Sequence, residues 1–409
     1  MSDEHGATYR WYLLALLVVT GAFVAAMPFS CMPALFNEIS EDLGLSLVQI
    51  GSVWGITSLA GVFVSLIAGV LSDRFGVKFV LSVSCLLVGI TGALRGLSVD
   101  FLTLMVTTFI NGIVRLTVPI TVNKTVGIWF KGRKLGTAMG ISAMGMGLGL
   151  MLGPMISATI LSPLLGGWRN VLFLYGTVSV FVGILWFLFG REPRRVDSTT
   201  GYSGAVPVRQ ALSRLIRVKA LWLIGFTLMF RSSCIMGMTG YLPLYLREQG
   251  WVAASADGTL AAFYGVSTMC VVPLSLLSDR LGSRKAILYP ALLVTIVCVS
   301  LLSVVEGIAV WVLMVLAGVF MDGFMAVTTA MLLESDGVGP LYSGTALGIV
   351  FTLAQLGSVA SPPLGNSFAS VNPGLPFIFW ASLSIPALVT LTFTKEKGWR
   401  KAKAIETPV

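Results

Sequence analysis

The sequence predicts an all-α polytopic membrane protein of twelve transmembrane helices, arranged as two pseudo-symmetric six-helix bundles with both termini cytoplasmic. Three observations carry this. Hydrophobic residues make up 56% of the chain and charged residues only 11%, where a soluble domain carries about 25% charge. Apolar runs long enough to cross about 30 Å of hydrocarbon as helices recur throughout. Short segments of the first half return in the second at a nearly constant offset.

The twelve runs are 12–36, 47–72, 78–96, 101–128, 135–160, 168–190, 221–246, 258–279, 285–304, 307–333, 343–368 and 374–394. They are continuous, unlike the short alternating segments of a transmembrane barrel. The first lacks a small-residue cleavage site and reads as an uncleaved helix. With the N-terminus inside, basic residues collect in the inner loops at Arg74 and Lys78, Lys131 to Lys134, Arg191 to Lys219, Arg280 to Lys285, and the tail from Lys395 to Lys403. Glu38, Glu41, Asp42, Asp100, Asp257 and Glu306 fall outside, and Arg95 and Arg247 are expected at the outer interface. Cytoplasmic basic loops are the rule for such proteins. They account for the net charge of +9 without a nucleic-acid partner.

Ser72-Asp73-Arg74 returns as Ser278-Asp279-Arg280, an offset of 206 (278 − 72), and Gly136-Thr137-Ala138 as Gly344-Thr345-Ala346, an offset of 208 (344 − 136). The expected organisation is an N-terminal bundle, 1–190, a cytoplasmic linker with an amphipathic helix, 191–219, a C-terminal bundle, 220–394, and a tail, 395–409.

The segment Gly69-Val70-Leu71-Ser72-Asp73-Arg74-Phe75-Gly76, with its weaker copy around Asp279 and Arg280, closely resembles the loop signature of the major facilitator superfamily. The resemblance implies an inner latch, with Asp73, Arg74, Asp279 and Arg280 pairing across the bundle and Gly69 and Gly76 permitting a close turn. The plain alternative is a helix-ending turn with topology charges. Trp129-Phe130, Lys131-Gly132-Arg133-Lys134 and Gly167-Trp168-Arg169 resemble the branch holding anion:cation symporters and, more loosely, monocarboxylate carriers, which implies small organic anions as substrates.

That branch typically carries a Glu fourteen residues before the Trp of its Trp-Phe pair, where this chain has Arg115. Asp322 lies 207 residues further on (322 − 115), at the half-repeat equivalent, and Arg231 interrupts the seventh run. In the superfamily fold the helices holding these three charges line the cavity. At 1.5 Å per residue all three lie roughly 15–22 Å deep, near the midplane where such carriers bind substrate. A charge there is expensive and calls for a partner or a function. Arg115 and Arg231 are therefore expected to bind a carboxylate, with Asp322 offsetting one of them and carrying a proton, and Asn111, Tyr241, Tyr264 and Gln355 completing the pocket. The bland alternative is a structural ion pair between Asp322 and one arginine. Lys124 is expected to snorkel from the inner end of its helix.

The fifth run carries Gly136, Gly140, Gly145, Gly147, Gly149 and Gly153 before Pro154. It partly resembles the Gly-Pro ending of antiporters, and a helix-packing face explains it equally. The Gly-Asn element of nitrate carriers is absent. The five cysteines fall within spans and the single His5 in the N-terminal tail, so neither a disulfide framework, a metal site, a catalytic set nor a cofactor is expected. The sequence thus points to a monomeric, proton-coupled carrier of an organic anion in a bacterial inner membrane. An exporter of amphipathic compounds is the alternative, and a non-transporting anion receptor stands third.

Overall fold

A computed structural model describes residues 2–130, 133–191 and 208–396. Every regular element among the described residues is helical. They are α1 (Ser2–Val19), α2 (Met27–Leu43), α3 (Leu47–Phe75), α4 (Val77–Gly96), α5 (Phe101–Trp129), α6 (Arg133–Ile156), α7 (Ser162–Leu165), α8 (Trp168–Phe189), α9 (Val208–Leu215), α10 (Lys219–Glu248), α11 (Ala253–Leu281), α12 (Lys285–Leu301), α13 (Ile308–Val319), α14 (Met321–Leu333), α15 (Gly339–Ser367) and α16 (Leu375–Phe393). Among the described residues eleven helical stretches are long and apolar enough to cross a membrane, and the 17-residue α12 is a shorter apolar helix. In lipid a helix satisfies its own backbone polar groups, which is why this is the architecture such a composition adopts.

Three ends differ from the sequence expectation. The first span continues through a π-helical turn, Thr20–Ala26, into α2, and runs from Tyr9 to Leu43. The eighth run begins earlier, at Ala253, as α11, so Asp257 lies inside it rather than in a loop. The tenth run is broken at Phe320 into α13 and α14, with no proline at the break.

Local chemistry sets several boundaries. Ser46 and Gln49 form a reciprocal capping box at the start of α3, and Asp100 and Thr103 do so for α5, satisfying amides that would otherwise lack acceptors. Those hydrogen bonds, from Thr103 first, hold the Asp100 carboxyl below the usual aspartate range. Gly76, with φ 85°, makes the turn from α3 to α4 that a side chain would strain.

The chain divides into two compact units. Unit 1 is Met1–Val196 with Thr239–Thr268, and unit 2 is Asp197–Met238 with Met269–Val409. In unit 1, α4 and α8 cross so closely that a Cβ on Gly89 would lie 2.5 Å from the Gly176 carbonyl oxygen. The glycines of α6 divide by face: Gly145, Gly149 and Gly153 abut Val18, Ala22 and Ser30 of the first span, whereas Gly136 and Gly140 have nothing within 4 Å. The three packed glycines recur every four residues, so they form one stripe along which α6 lies against its neighbour's backbone.

Unit 2 buries Leu228, Leu288, Leu292, Phe324, Met331 and Val350 in its core. Of the amphipathic run expected in the linker, α9 is present, and its Leu215 is wholly buried in that core while Leu212 and Ile216 stay exposed. The rest of the linker, 192–207, and the tail from 397 lie outside the described residues. All five cysteines are free; Cys31, Cys85, Cys234 and Cys298 are buried as packing residues.

Candidate functional site

Arg115, on α5, is 7% exposed. Its Nη1 donates to the Ala25 carbonyl oxygen at 3.3 Å, and its guanidinium lies 4.3 Å from the centroid of Phe29. Ala25 belongs to the π-helical turn, an irregularity found often at functional positions. Phe29 in turn stacks on the buried Trp54 at 4.7 Å, so Trp54 supports the cation's aromatic platform. Among the described residues no carboxylate lies within ion-pairing distance of Arg115.

Asn111, one turn away, does not hydrogen-bond this guanidinium through its amide nitrogen. That nitrogen donates to the Val88 carbonyl at 3.2 Å and Thr91 Oγ1 at 3.0 Å, tying α5 to α4. Arg95 corrects the sequence reading. It was expected at the outer interface, yet it is 3% exposed, and its Nη2 reaches the Pro28 carbonyl at 3.5 Å. Sitting in the last turn of α4, it is favoured by the helix dipole, and its side chain turns inward rather than out.

The other outer arginine is half-buried. Arg247 Nη2 donates to Asp257 Oδ2 at 2.5 Å, and Asp257 is 0% exposed. The early start of α11 places this acid inside the helix, past its first turn, with Arg247 as its ion-pair partner. Tyr241 and Tyr264 are also buried in unit 1, their rings against Tyr245 and Phe263 at 5.9 Å and 5.4 Å. Arg169 joins α8 to its neighbours through Asp42 at 2.8 Å and the carbonyls of Gly96 and Ser98 at 3.0 Å and 2.6 Å.

Unit 2 holds a counterpart to Arg115. Arg231, on α10 and 4% exposed, donates from Nη2 to the carbonyls of Phe320 and Met321 at 3.3 Å and 3.5 Å, and its guanidinium lies 4.3 Å from the centroid of Phe324. The parallel is chemical: in each unit a buried guanidinium meets the backbone of an interrupted helix and the face of a phenylalanine. The break at Phe320 gives α13 a C-terminus and α14 an N-terminus in mid-span, and the charges match both ends. Arg231 binds carbonyls at the junction, while Asp322, half-buried, occupies the first turn of α14. Asp322 is close enough to act electrostatically on Arg231. Gln355, on α15, is half-buried in unit 2.

The repeated loop signature can be followed in part. Gly69 and Asp73 fall within α3, but their side chains lie outside the described residues, as do Lys131 and Gly132 altogether. Arg74 is exposed, 5.4 Å from the Phe75 ring centroid. Lys124 does not snorkel freely: its Nζ donates to Ser72 Oγ at 2.9 Å, beside Asp73. In the second copy, Arg284 pairs with Asp279, and its Nη2 and Nε bind the Glu334 carboxylate at 2.6 Å and 3.2 Å. Those hydrogen bonds, from Glu334 first, raise the Arg284 guanidinium above its usual range. Glu396 accepts from Ser283 Oγ at 3.0 Å and from the Arg284 and Lys285 amides. Arg280 remains exposed. A cavity of about 650 Å³ lies beside this network, and Arg231 is not among its lining residues.

Long apolar helices with ionic groups held in mid-span mark a polytopic membrane protein whose buried charges call for a function. The chain belongs to the Major Facilitator Superfamily, whose sequence model matches residues 18–362 and again 259–408; it is an integral membrane transporter. Multidrug resistance protein MdtG of Proteus mirabilis is 23% identical over 92% of this chain and 93% of its own length. The probable nitrate/nitrite antiporter NarK1 of Thermus thermophilus is 25% identical over 95% and 91%, and the probable sulfoacetate transporter SauU of Cupriavidus necator 26% identical over 86% of each. Among solved structures, a single-site mutant of the nucleoside transporter NupG superposes with a TM-score of 0.80 at 12% identity, over 94% of this chain and all of the other. A bacterial homologue of the lysosomal transporter Spinster, inward-facing and unoccupied, gives 0.74 at 16% identity over 94% and 95%.

Proposed function

We propose that this protein is a secondary active transporter that moves a small organic anion, a carboxylate in the first instance, together with protons by alternating access. Arg115 and Arg231 are its anion-recognising groups. The observation that carries the proposal is the state of Arg115: buried, held by one backbone carbonyl and one aromatic face, with no ion-paired carboxylate among the described residues. A guanidinium keeps its charge and offers five N–H donors in a planar fork that matches a carboxylate. Held in this way its charge remains uncompensated, and an anionic substrate supplies the missing partner. The names of NarK1 and SauU, relatives over most of the chain, are those of anion carriers and agree with this.

Asp322 gives the proton its place. While ionised it offsets Arg231; once protonated it leaves that guanidinium free for the anion. Proton and anion then favour the same state of the carrier, and each raises the affinity for the other. Asn111, Tyr241 and Tyr264 in unit 1 and Gln355 in unit 2 are the further substrate-contacting residues, and Gly69, Asp73, Arg74, Gly76, Asp279 and Arg280 belong to the gating loops. The protein works as a monomer in a bacterial inner membrane with both termini in the cytoplasm.

The likeness to MdtG favours a second reading, a proton-coupled exporter of amphipathic compounds with Asp322 as its membrane-embedded acid. Thermal unfolding of the purified protein separates the two. The panel is mono- and dicarboxylates, sulfonates, sugars and cationic drugs, tested on the native protein and on Arg115→Ala and Arg231→Ala. A ligand at one hundred times its dissociation constant stabilises by about 2.7 kcal/mol. An anion that stabilises the native protein and neither variant supports the anion carrier. Stabilisation of all three by apolar cations, with no effect of anions, replaces it with the exporter.

A further inference from the structure

Arg95 is a second buried guanidinium in unit 1, and the proposal above does not use it. Arg95 and Arg115 reach the same stretch of the first span: their acceptors, the carbonyls of Pro28 and Ala25, are three residues apart, about 4.5 Å along a helix. Their charges are near enough to act on one another. Between them Asn111 fastens α5 to α4 through Val88 and Thr91, which fixes the two helices that carry the arginines. A Cβ on Gly92 would lie 3.6 Å from the Asn111 amide nitrogen and 3.8 Å from Arg95 Nη2, so this face of α4 lies against both side chains at ordinary contact distance.

The pair is under-satisfied. Arg95 Nε is buried without a hydrogen-bond partner, and the bond from its Nη2 to the Pro28 carbonyl is long, at 3.5 Å. No carboxylate among the described residues ion-pairs with either arginine. Two like charges buried together without a counter-ion are costly, and a structural role would be served as well by an apolar residue. An anion carrying two negative groups a few ångströms apart would neutralise both.

We infer that Arg95 is a second substrate-binding residue beside Arg115, and that the pair selects dianions, such as dicarboxylates and sulfocarboxylates, over monoanions of the same shape. This rests on the anion-carrier function proposed above. One acidic group meets Arg115 and the other meets Arg95, whose buried Nε and remaining N–H donors supply charge-assisted hydrogen bonds.

The probes are succinate and its half-amide succinamate, which keeps the shape and loses one charge. Their dissociation constants are measured by calorimetry on the full-length protein in detergent, at a pH where both carboxyl groups of succinate are ionised. The native protein should bind succinate about tenfold more tightly or better, the size of one charge-assisted hydrogen bond. Arg95→Gln should bring the ratio near one by losing succinate affinity while keeping succinamate affinity, and Arg95→Lys should restore part of it. Arg115→Gln should lose both ligands. A native ratio near one overturns the inference without recourse to any variant, and so does an unchanged ratio in Arg95→Gln. If monoanions bind under either of those outcomes, the anion carrier stands and only the dianion site falls; if neither probe nor any other anion of the panel binds the native protein, both fall together.

Discussion

Replacing Arg115 with methionine should make the ligand-free protein more stable while abolishing anion binding. The structure allows the balance to be worked. Arg115 gains one hydrogen bond, at 3.3 Å to the Ala25 carbonyl, and one cation–π contact at 4.3 Å to Phe29. These contribute about 1.5 kcal/mol and about 2 kcal/mol. Against them stands the desolvation of a guanidinium that is 7% exposed with no ion-paired carboxylate among the described residues, which costs several kcal/mol even after relaxation. Methionine fills similar volume with a flexible apolar chain and contacts the Phe29 ring through sulfur. The expected change is a gain of about 1–3 kcal/mol, since replacing buried charge with apolar side chains is stabilising by that order in other proteins. Thermal unfolding in one detergent without added anion reads the change as an upward shift of a few degrees, and calorimetry with the anion reads the loss of binding. A drop of more than about 2 kcal/mol would show that Arg115 is a structural strut and refute the reasoning.

Asp322→Asn should retain anion binding and exchange but lose acceleration by an acid-side proton gradient; uptake that stays as proton-dependent as in the native protein would move the proton site elsewhere. Gly89→Val places a branched side chain where a Cβ already meets the Gly176 carbonyl at 2.5 Å, and should destabilise by about 3 kcal/mol or prevent folding. Gly136→Ala, with nothing within 4 Å, should be neutral or stabilising by up to about 1 kcal/mol in the same unfolding assay. Glu334→Ala removes the bidentate partner of Arg284, and should lower stability by about 1 kcal/mol or less because the pair is partly exposed, with a larger effect on transport rate if the network gates the carrier.

Much of the fold was legible because hydropathy reads spans directly: a run of about twenty apolar residues has few alternatives in lipid. The charges Arg115, Arg231 and Asp322 stood out for the same reason, and both arginines are buried. What stayed hidden depends on packing rather than composition. The break at Phe320 has no proline to announce it; Gly318 and Gly323 flank it, a signal too common in membrane helices to be decisive. The π-helical turn that receives Arg115 likewise leaves no pattern in Thr20–Ala26. Arg95 was misplaced because its distance from the end of α4 suggested the interface, while the direction of its side chain is set by the neighbouring helices. Asp257 was misplaced by a five-residue error in the start of α11 (258 against 253), the kind of boundary that a weakly polar helix start conceals. Lys124 was read as an interfacial anchor, and its tie to Ser72 appears only when α3 and α5 are placed together.

The most direct test of the central claim is transport itself, with the purified protein in liposomes, the anion found in the stability panel supplied radiolabelled, and a pH step imposed across the membrane. A proton-coupled anion carrier should accumulate the anion above equilibrium when the outside is made acidic, and Arg115→Met and Arg231→Met should not. Absence of anion uptake, together with proton-driven movement of an apolar cation that survives both substitutions, would contradict the account.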